Sequence, residues 1–397
     1  MSQPLVPRIL RPRRAAPADA VRPTRAEINL EALRHNLRVV ARYAGAARVW
    51  AVLKADAYGH GAPAVARTLE RVQGLAGFCV ALLEEAIELR EAGIVAPILV
   101  MGGHYGSAHD EVIARDLVPV VHDAEHLGAF ARLVRSGAAT GPIDVHLKID
   151  TGMGRLGVTM DALPALAASL AGFPEVRIRG LMTHLANADD ADGGFTHEQM
   201  ARFGEATALL ERHGVRPEVR HAANSGALLR GHAVLDAVRP GLALFGVSPR
   251  VDGEALTREL RPVMRVRTEI VSLRDVAAGH PVGYGGTWKA GRPSRIGTVP
   301  IGYADGLSRQ LGNRGHVLVR GKRAPIVGAV SMDMAMIDVT EIPGTSAHDE
   351  VVVIGSQDGL LGRDAIGVDE IAAHAGTIPW EVMTSISRRV PRFYREP

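Results

Sequence analysis

The stretch VWAVLKADAYGHG, residues 49–61, starts as an apolar run and ends in a lysine, a tyrosine and two glycines. Lys54 therefore closes a segment that otherwise reads as a buried strand. An ammonium taken out of water tends to lose its proton, which turns an inert cation into a nucleophilic amine. Seven further runs repeat the pattern: GFCVAL (77–82), PILVM (97–101), LVPVVH (117–122), IDVHLKID (143–150), IRGLMTHLA (178–186), EVRHAANS (218–225) and VRPGLALFG (238–246). Helix-like segments separate them. LLEEAIELREAG (82–93) has near-helical apolar spacing and stops on a glycine, and DAEHLGAFARLVRSG (123–137) begins at Asp123, a suitable N-cap. Eight repeating βα units predict an α/β fold, a (β/α)8 barrel. An open doubly wound sheet is the alternative, but no G-x-G-x-x-G follows the first strand.

The pattern changes after about residue 254. MRVRTEIVSLRDVAAGHPVGYGGTW (264–288), SRIGTVPIGYADGL (294–307), GHVLVRGKRAPIVGAV (315–330) and DEVVVIG (349–355) read as short alternating strands between Gly, Pro and Asp turns. The expected division is an arm over residues 1–20, a barrel domain over 21–254 and a mostly β C-terminal domain over 255–397. A strand at 24–30 is free to pair with the C-terminal domain. The 397 residues are 47% hydrophobic and only 4% aromatic, so the core is aliphatic. Net charge is +3, and much of the basic excess sits in RILRPRR (8–14), read as a solvated, disordered arm rather than a nucleic-acid contact. No run reaches the roughly 18 apolar residues of a membrane span, and residues 1–20 hold no secretory h-region. One cysteine, Cys79, excludes an internal disulfide. These features point to a cytoplasmic protein with no membrane or nucleic-acid partner.

Barrel enzymes carry their chemistry at the C-terminal ends of the strands. Those ends supply Lys54, His122, Lys148, Asp150, His184, Asn224, Ser225, Arg239 and Gly241. Each has a plain alternative as a polar residue at a solvent-facing rim. Lysine forms a Schiff base with an aldehyde cofactor such as pyridoxal phosphate. Tyr58 and the following glycines suit a phosphate, as do the turns at Ser225–Gly226 and Arg239–Gly241, expected where strands seven and eight end. HDAEH (122–126) matches the H-x-x-E-H zinc pattern. It falls at a strand-to-helix junction with no third ligand in view, so no metal is assigned.

Nine motifs in order resemble the alanine racemase family: AVLKADAYGHG, VHLKIDTGMGRLG, LMTHLANAD, AANSGA, VRPGLALFG, VGYGGTW, IGYADG, VSMDMAMIDV and RRVPRFY. The resemblance runs from about Arg22 to Tyr394. It implies pyridoxal 5'-phosphate on the barrel and interconversion of L- and D-alanine, supplying D-alanine for peptidoglycan. Lys54 would hold the cofactor and act as one base, and Tyr284 would be the second, contributed by the partner subunit of a homodimer with shared sites. Arg239 would face the pyridine nitrogen, with Tyr58, Ser225, Gly241, Leu242 and Tyr394 around the phosphate and Asn224 and His184 also at the cofactor. Arg155 would touch both the cofactor and the substrate carboxylate, and His184 would support Tyr284. Met332, Asp333 and Tyr303 would stand near the substrate entrance, and Lys148 matches a position carbamylated in some relatives. Two bases suit the reaction, because one proton must leave a face of Cα and another must return to the opposite face. Arg239 keeps its proton, so the pyridine nitrogen should stay unprotonated, which disfavours transamination. Arg25, Phe245 and Ala329 depart from residues frequent in the family. A serine or broad-specificity racemase of the same fold is the nearest alternative. A non-catalytic pyridoxal phosphate-binding regulator is the alternative from another class.

Overall fold

In the computed structural model of the chain, residues 21–103, 108–190, 192–248 and 258–396 are described. The arm expected over 1–20 and the break expected at 254 lie outside them. Two compact units form. One takes the chain up to Ile28, Arg265–Thr377 and Ser385–Phe393; the other takes Asn29–Met264, Ile378–Thr384 and the chain from Tyr394 on.

The chain opens with β1 (Arg25–Asn29), then a helix, Leu30–Ala44, capped by the Asn29 side chain. The larger unit is built on β2 (Arg48–Val52), β3 (Leu75–Val80), β4 (Ile98–Val100), β5 (Val118–Val121), β6 (Ile143–Asp150), a short β7 (Val158–Thr159), β8 (Val176–Met182), β9 (Val219–His221) and β10 (Ala237–Val238). Each barrel strand pairs in parallel with the next; β5 pairs with β6, β6 with β8, and β10 returns to β2, so an eight-stranded barrel closes. Strands buried on both faces need continuous apolar runs rather than alternation, and Val49, Ala51, Phe78, Cys79, Ile98, Leu99 and Val120 are fully buried. Asp123 caps the helix Ala124–Arg135 by accepting the His126 N–H at 2.8 Å.

The strands are shorter than their apolar runs. β2 stops at Val52 and β10 at Val238, while Asn224 and Ser225 leave the strand and start a helix, Ser225–Leu229. Lys54 consequently opens a turn beyond the strand instead of ending it.

In the smaller unit, the remaining strands are β11 (Met264–Glu269), β12 (Ser272–Val276), β13 (Pro281–Val282), β14 (Trp288–Lys289), β15 (Ser294–Val299), β16 (His316–Val319), β17 (Lys322–Pro325), β18 (Ala335–Asp338), β19 (Glu350–Gly359), β20 (Gly362–Ile366) and β21 (Arg392–Arg395). A seven-stranded sheet runs β17-β16-β19-β11-β1-β21, with β20 on β19; β12, β15 and β18 make a second sheet. The early strand β1 thus lies between β11 and β21. Glu27 on β1 is nearly buried and is met by Arg25, Arg265 and Arg267 at 2.8–3.2 Å. Arg25, one of the departures, also lies over the Phe393 ring, 4.9 Å from its centroid. No helix among the described residues is long and apolar enough to cross a membrane.

Candidate active site at the barrel mouth

After Leu53 the backbone turns left-handed. Ala55, Asp56, Ala57 and Tyr58 hold φ of 53–54°. L-residues resist this conformation by roughly 1–2 kcal/mol each, so the surroundings must impose it. Glu85, on the helix Leu83–Glu91, accepts the Ala55 N–H at 2.6 Å and the Ala81 and Leu82 N–H groups at 2.8 and 3.0 Å. Asp56 accepts the Ala62 N–H at 2.8 Å. At Gly61 (φ 92°), an added Cβ would lie 1.8 Å from the Tyr394 hydroxyl, so only glycine fits. The turn fixes the direction in which Lys54 leaves the barrel wall.

Burial and the Arg155 charge push the Lys54 amine below the ordinary lysine range, and Glu85 partly opposes them. Burial, Arg155 and Arg239 lower Lys148 to about 8. His184 falls to about 3 through burial and the charges of Arg239, Arg155 and both lysines. Lys54, Lys148, Arg155, His184 and Arg239 therefore share one electrostatic neighbourhood. Asp150 organises the loop that carries Arg155: its carboxylate accepts the N–H groups of Gly152, Met153 and Gly154 at 2.8–3.2 Å.

Arg239 is 3% exposed. It donates to the Thr183 carbonyl at 2.7 Å, to the His221 and Ala222 carbonyls at 2.9 and 3.2 Å, and to His221 Nδ1 at 2.6 Å. Guanidinium nitrogens only donate, so His221 Nδ1 must be unprotonated and its Nε2 carries the hydrogen. That Nε2 donates to His146 Nδ1 at 2.8 Å. Burial and Arg239 keep both imidazoles neutral, with His146 lowered to about 4. Burial brings Arg239 itself down to about 10, still a cation at neutral pH.

Ser225 Oγ accepts the Gly241 and Ala243 N–H groups at 3.0 and 3.2 Å, and Asn224 caps the next helix through the Ala227 N–H at 3.0 Å. A Cβ on Gly241 would lie 2.2 Å from the Tyr58 hydroxyl, which brings the two turns together. Leu242 is buried beside them. Phe245, another departure, is buried against Tyr58 and stacks on His60 with centroids 4.3 Å apart.

The remaining predicted residues belong to the smaller unit. Tyr284 is 75% exposed on a 3-10 turn, and Met332 and Tyr303 are also exposed. Tyr303 and Ala304 N–H groups bond the Ser331 and Met332 carbonyls at 3.0 and 3.1 Å, which joins the IGYADG and SMDM loops. Asp333 accepts from Arg389 at 2.6 Å. Ala329 packs near Gly283, where an added Cβ would meet its nitrogen at 3.3 Å. Below Tyr303, Asp305 is fully buried and receives Arg22 at 2.8 and 2.9 Å.

At HDAEH, His122 and His126 lie 3.2 and 3.5 Å from the Asp123 carboxylate, distances of ordinary imidazole–carboxylate contacts. Glu85, His221 and Asp305 were missed in the sequence. Each acts on backbone or on another side chain, and only the third-position acid of a helix start pointed to Glu85.

Residues 28–249 match the family described as alanine racemase, N-terminal domain, and residues 263–394 match alanine racemase, C-terminal domain. An alanine racemase from Sorangium cellulosum is 62% identical over 384 residues, 95% of this chain and all of that protein. The alanine racemase structure from Bacillus anthracis with bound L-Ala-P superposes with a TM-score of 0.86 at 34% identity, covering 95% of this chain and 96% of that one. The Bartonella henselae structure, with covalently bound pyridoxal phosphate, gives 0.84 at 30% identity, covering 94% and 99%.

Competitive acylation of the unliganded protein across pH should show Lys54 titrating below ordinary lysines. Glu85→Gln removes the anion that favours the charged amine, so the Lys54 midpoint should move lower still. A midpoint unchanged or raised in the variant would contradict the electrostatic reading.

Proposed function

The chain belongs to the alanine racemase family, and we propose that it interconverts L- and D-alanine by a two-base reaction at the barrel mouth. The gathering of Lys54, Lys148, Arg155, His184 and Arg239 carries this reading. Such a cluster favours anions, and an amino-acid carboxylate and a cofactor phosphate are the two that the reaction brings.

The described residues fit pyridoxal phosphate. Lys54 is a lysine with its amine pushed toward the neutral, nucleophilic form. The missing side chain at Gly241 lets the Tyr58 hydroxyl, a donor suited to a phosphate, lie against that backbone. Ser225 Oγ accepts two N–H groups there, which leaves its own proton to donate outward. Tyr58, Ser225, Gly241, Leu242 and Tyr394 would hold the phosphate, with Asn224 fixing the helix start beside it. When bound, the cofactor takes up electron density released at Cα.

Lys54 removes or returns the Cα proton on one face. Tyr284 of the partner subunit does so on the other, with Tyr303, Met332 and Asp333 of that subunit at the entrance. Exposure of Tyr284, Tyr303 and Met332 on one chain supports a homodimer that covers them. Arg155 orients the substrate carboxylate and His184 supports Tyr284. Arg239, cationic and locked by four hydrogen bonds, offers the pyridine nitrogen no acid to protonate it. Lys148 becomes a carbamate, releasing a proton as its neutral amine adds carbon dioxide; its lowered pKa supplies that amine, and the product gives Arg155 a negative neighbour.

The division into a barrel over 21–254 and a β-rich domain over 255–397 is supported by the gap between the two family matches. Cytoplasmic residence and supply of D-alanine to the cell wall extend the reading; a deletion strain should then need D-alanine to grow.

Borohydride reduction of the holoenzyme should fix the cofactor on Lys54, and the protein should racemise alanine in preference to serine; label on another lysine would sink the assignment. Tyr284→Phe should lose racemisation yet retain Cα-proton exchange from one enantiomer. Mixing Lys54→Ala and Tyr284→Phe chains should restore part of the activity, whereas no recovery after verified subunit exchange would refute the shared site. With ¹³C-bicarbonate, a carbamate NMR signal should appear and vanish in Lys148→Ala.

A further inference from the structure

Two triads of potential metal ligands occur among the described residues, and they differ in kind. At His122, Asp123 and His126 the carboxylate is already engaged on its own helix: one Asp123 oxygen accepts the His126 backbone N–H, and the other lies 3.2 and 3.5 Å from the two imidazoles. The second triad lies in the smaller unit and includes no residue assigned to the reaction. His316 opens β16, and Glu370 and His374 stand four residues apart on the helix Val368–Ala375. That spacing puts both on one helical face, one turn apart.

Donor atoms from the three side chains all lie within 4.8 Å of one another. Zinc bonds of about 2.0–2.2 Å place donors roughly 3.3 Å apart in a tetrahedron, so small side-chain rotations close the difference. His316 Nδ1 supplies an independent sign. It is buried and has no hydrogen-bond partner, a state that costs free energy unless an ion or water answers it. We propose that His316, Glu370 and His374 bind a divalent transition-metal ion, of which zinc is the type, and that the ion clips the helix to the sheet.

Two imidazoles and one carboxylate are a donor set suited to zinc, cobalt or nickel, with water completing the coordination. Arg323 donates to both Glu370 oxygens and to Asp364. It therefore orients the carboxylate from behind, as outer hydrogen bonds do at metal sites, while its charge moderates affinity for a second cation. Each Glu370 oxygen keeps a lone pair for the metal. Because binding selects the folded arrangement, the ion stabilises it by mass action.

The test uses the full chain with its cofactor, stripped of metal by chelation and titrated with cobalt(II) by visible absorption and zinc(II) by calorimetry. One equivalent per chain should bind, with four- or five-coordinate cobalt bands and a raised thermal midpoint. His374→Ala and His316→Gln should each weaken binding by at least about tenfold. Both should keep racemase activity and the metal-free melting midpoint, while His126→Ala should bind as the parent does. The proposal is overturned if the parent binds no equivalent, if both triad variants bind as tightly as the parent, or if binding is lost only in His126→Ala.

Discussion

A guanidinium taken out of water must be met by acceptors on a frame that cannot move away, and the barrel is that frame for Arg239. Its hydrogen bonds end on carbonyls just past β8 and at the end of β9, while Arg239 itself follows β10. One side chain thus pins three consecutive strand ends. The same charge fixes the His221 tautomer, which fixes the donor to His146, so one polar chain crosses the barrel interior with each proton's position dictated by its neighbour. Removing Arg239 would take a donor from three carbonyls and an imidazole, a heavier loss than the charge alone suggests.

The lysine is held by a different device. Four left-handed residues in succession could not persist in isolation. They persist here because Glu85 gathers N–H groups from two neighbouring strand ends and Asp56 ties off the far side. Glycine at 61 and 241 then allows tyrosine hydroxyls to approach the backbone from both sides. Strain at the turn is balanced by packing and hydrogen bonds whose only evident common product is the orientation of Lys54.

The eight apolar runs, most of them buried on both faces, made the barrel legible, because continuous hydrophobicity over four to eight residues has few other uses in a βα repeat. Strand ends were less so. Lys54, Asn224 and Ser225 fell inside runs read as strand, yet they lie on turns, since apolar patterning continues into buried loops as readily as into strands. The candidate residues of the barrel were visible as polar interruptions. Glu85, His221 and Asp305 were not, because their work is done on backbone groups and partners far away in sequence, and a single chain of letters carries no distance. His316 was invisible for the same reason: its partners come more than fifty residues later.

The cationic mouth also explains how one site can serve both as a nucleophile and as an anion trap. In the free protein, burial and the Arg155 charge, joined at Lys148 by Arg239, disfavour further positive charge, so Lys54 and Lys148 give up protons more readily than exposed lysines do. An arriving phosphate or carboxylate cancels part of that field. Binding an anion must then raise the affinity of these amines for protons, and by linkage protonation must raise the affinity for anions. The neutral amine needed for attack and the charged surroundings needed for capture are therefore two states of one electrostatic balance, and a carbamate on Lys148 would shift it toward retaining the proton on Lys54.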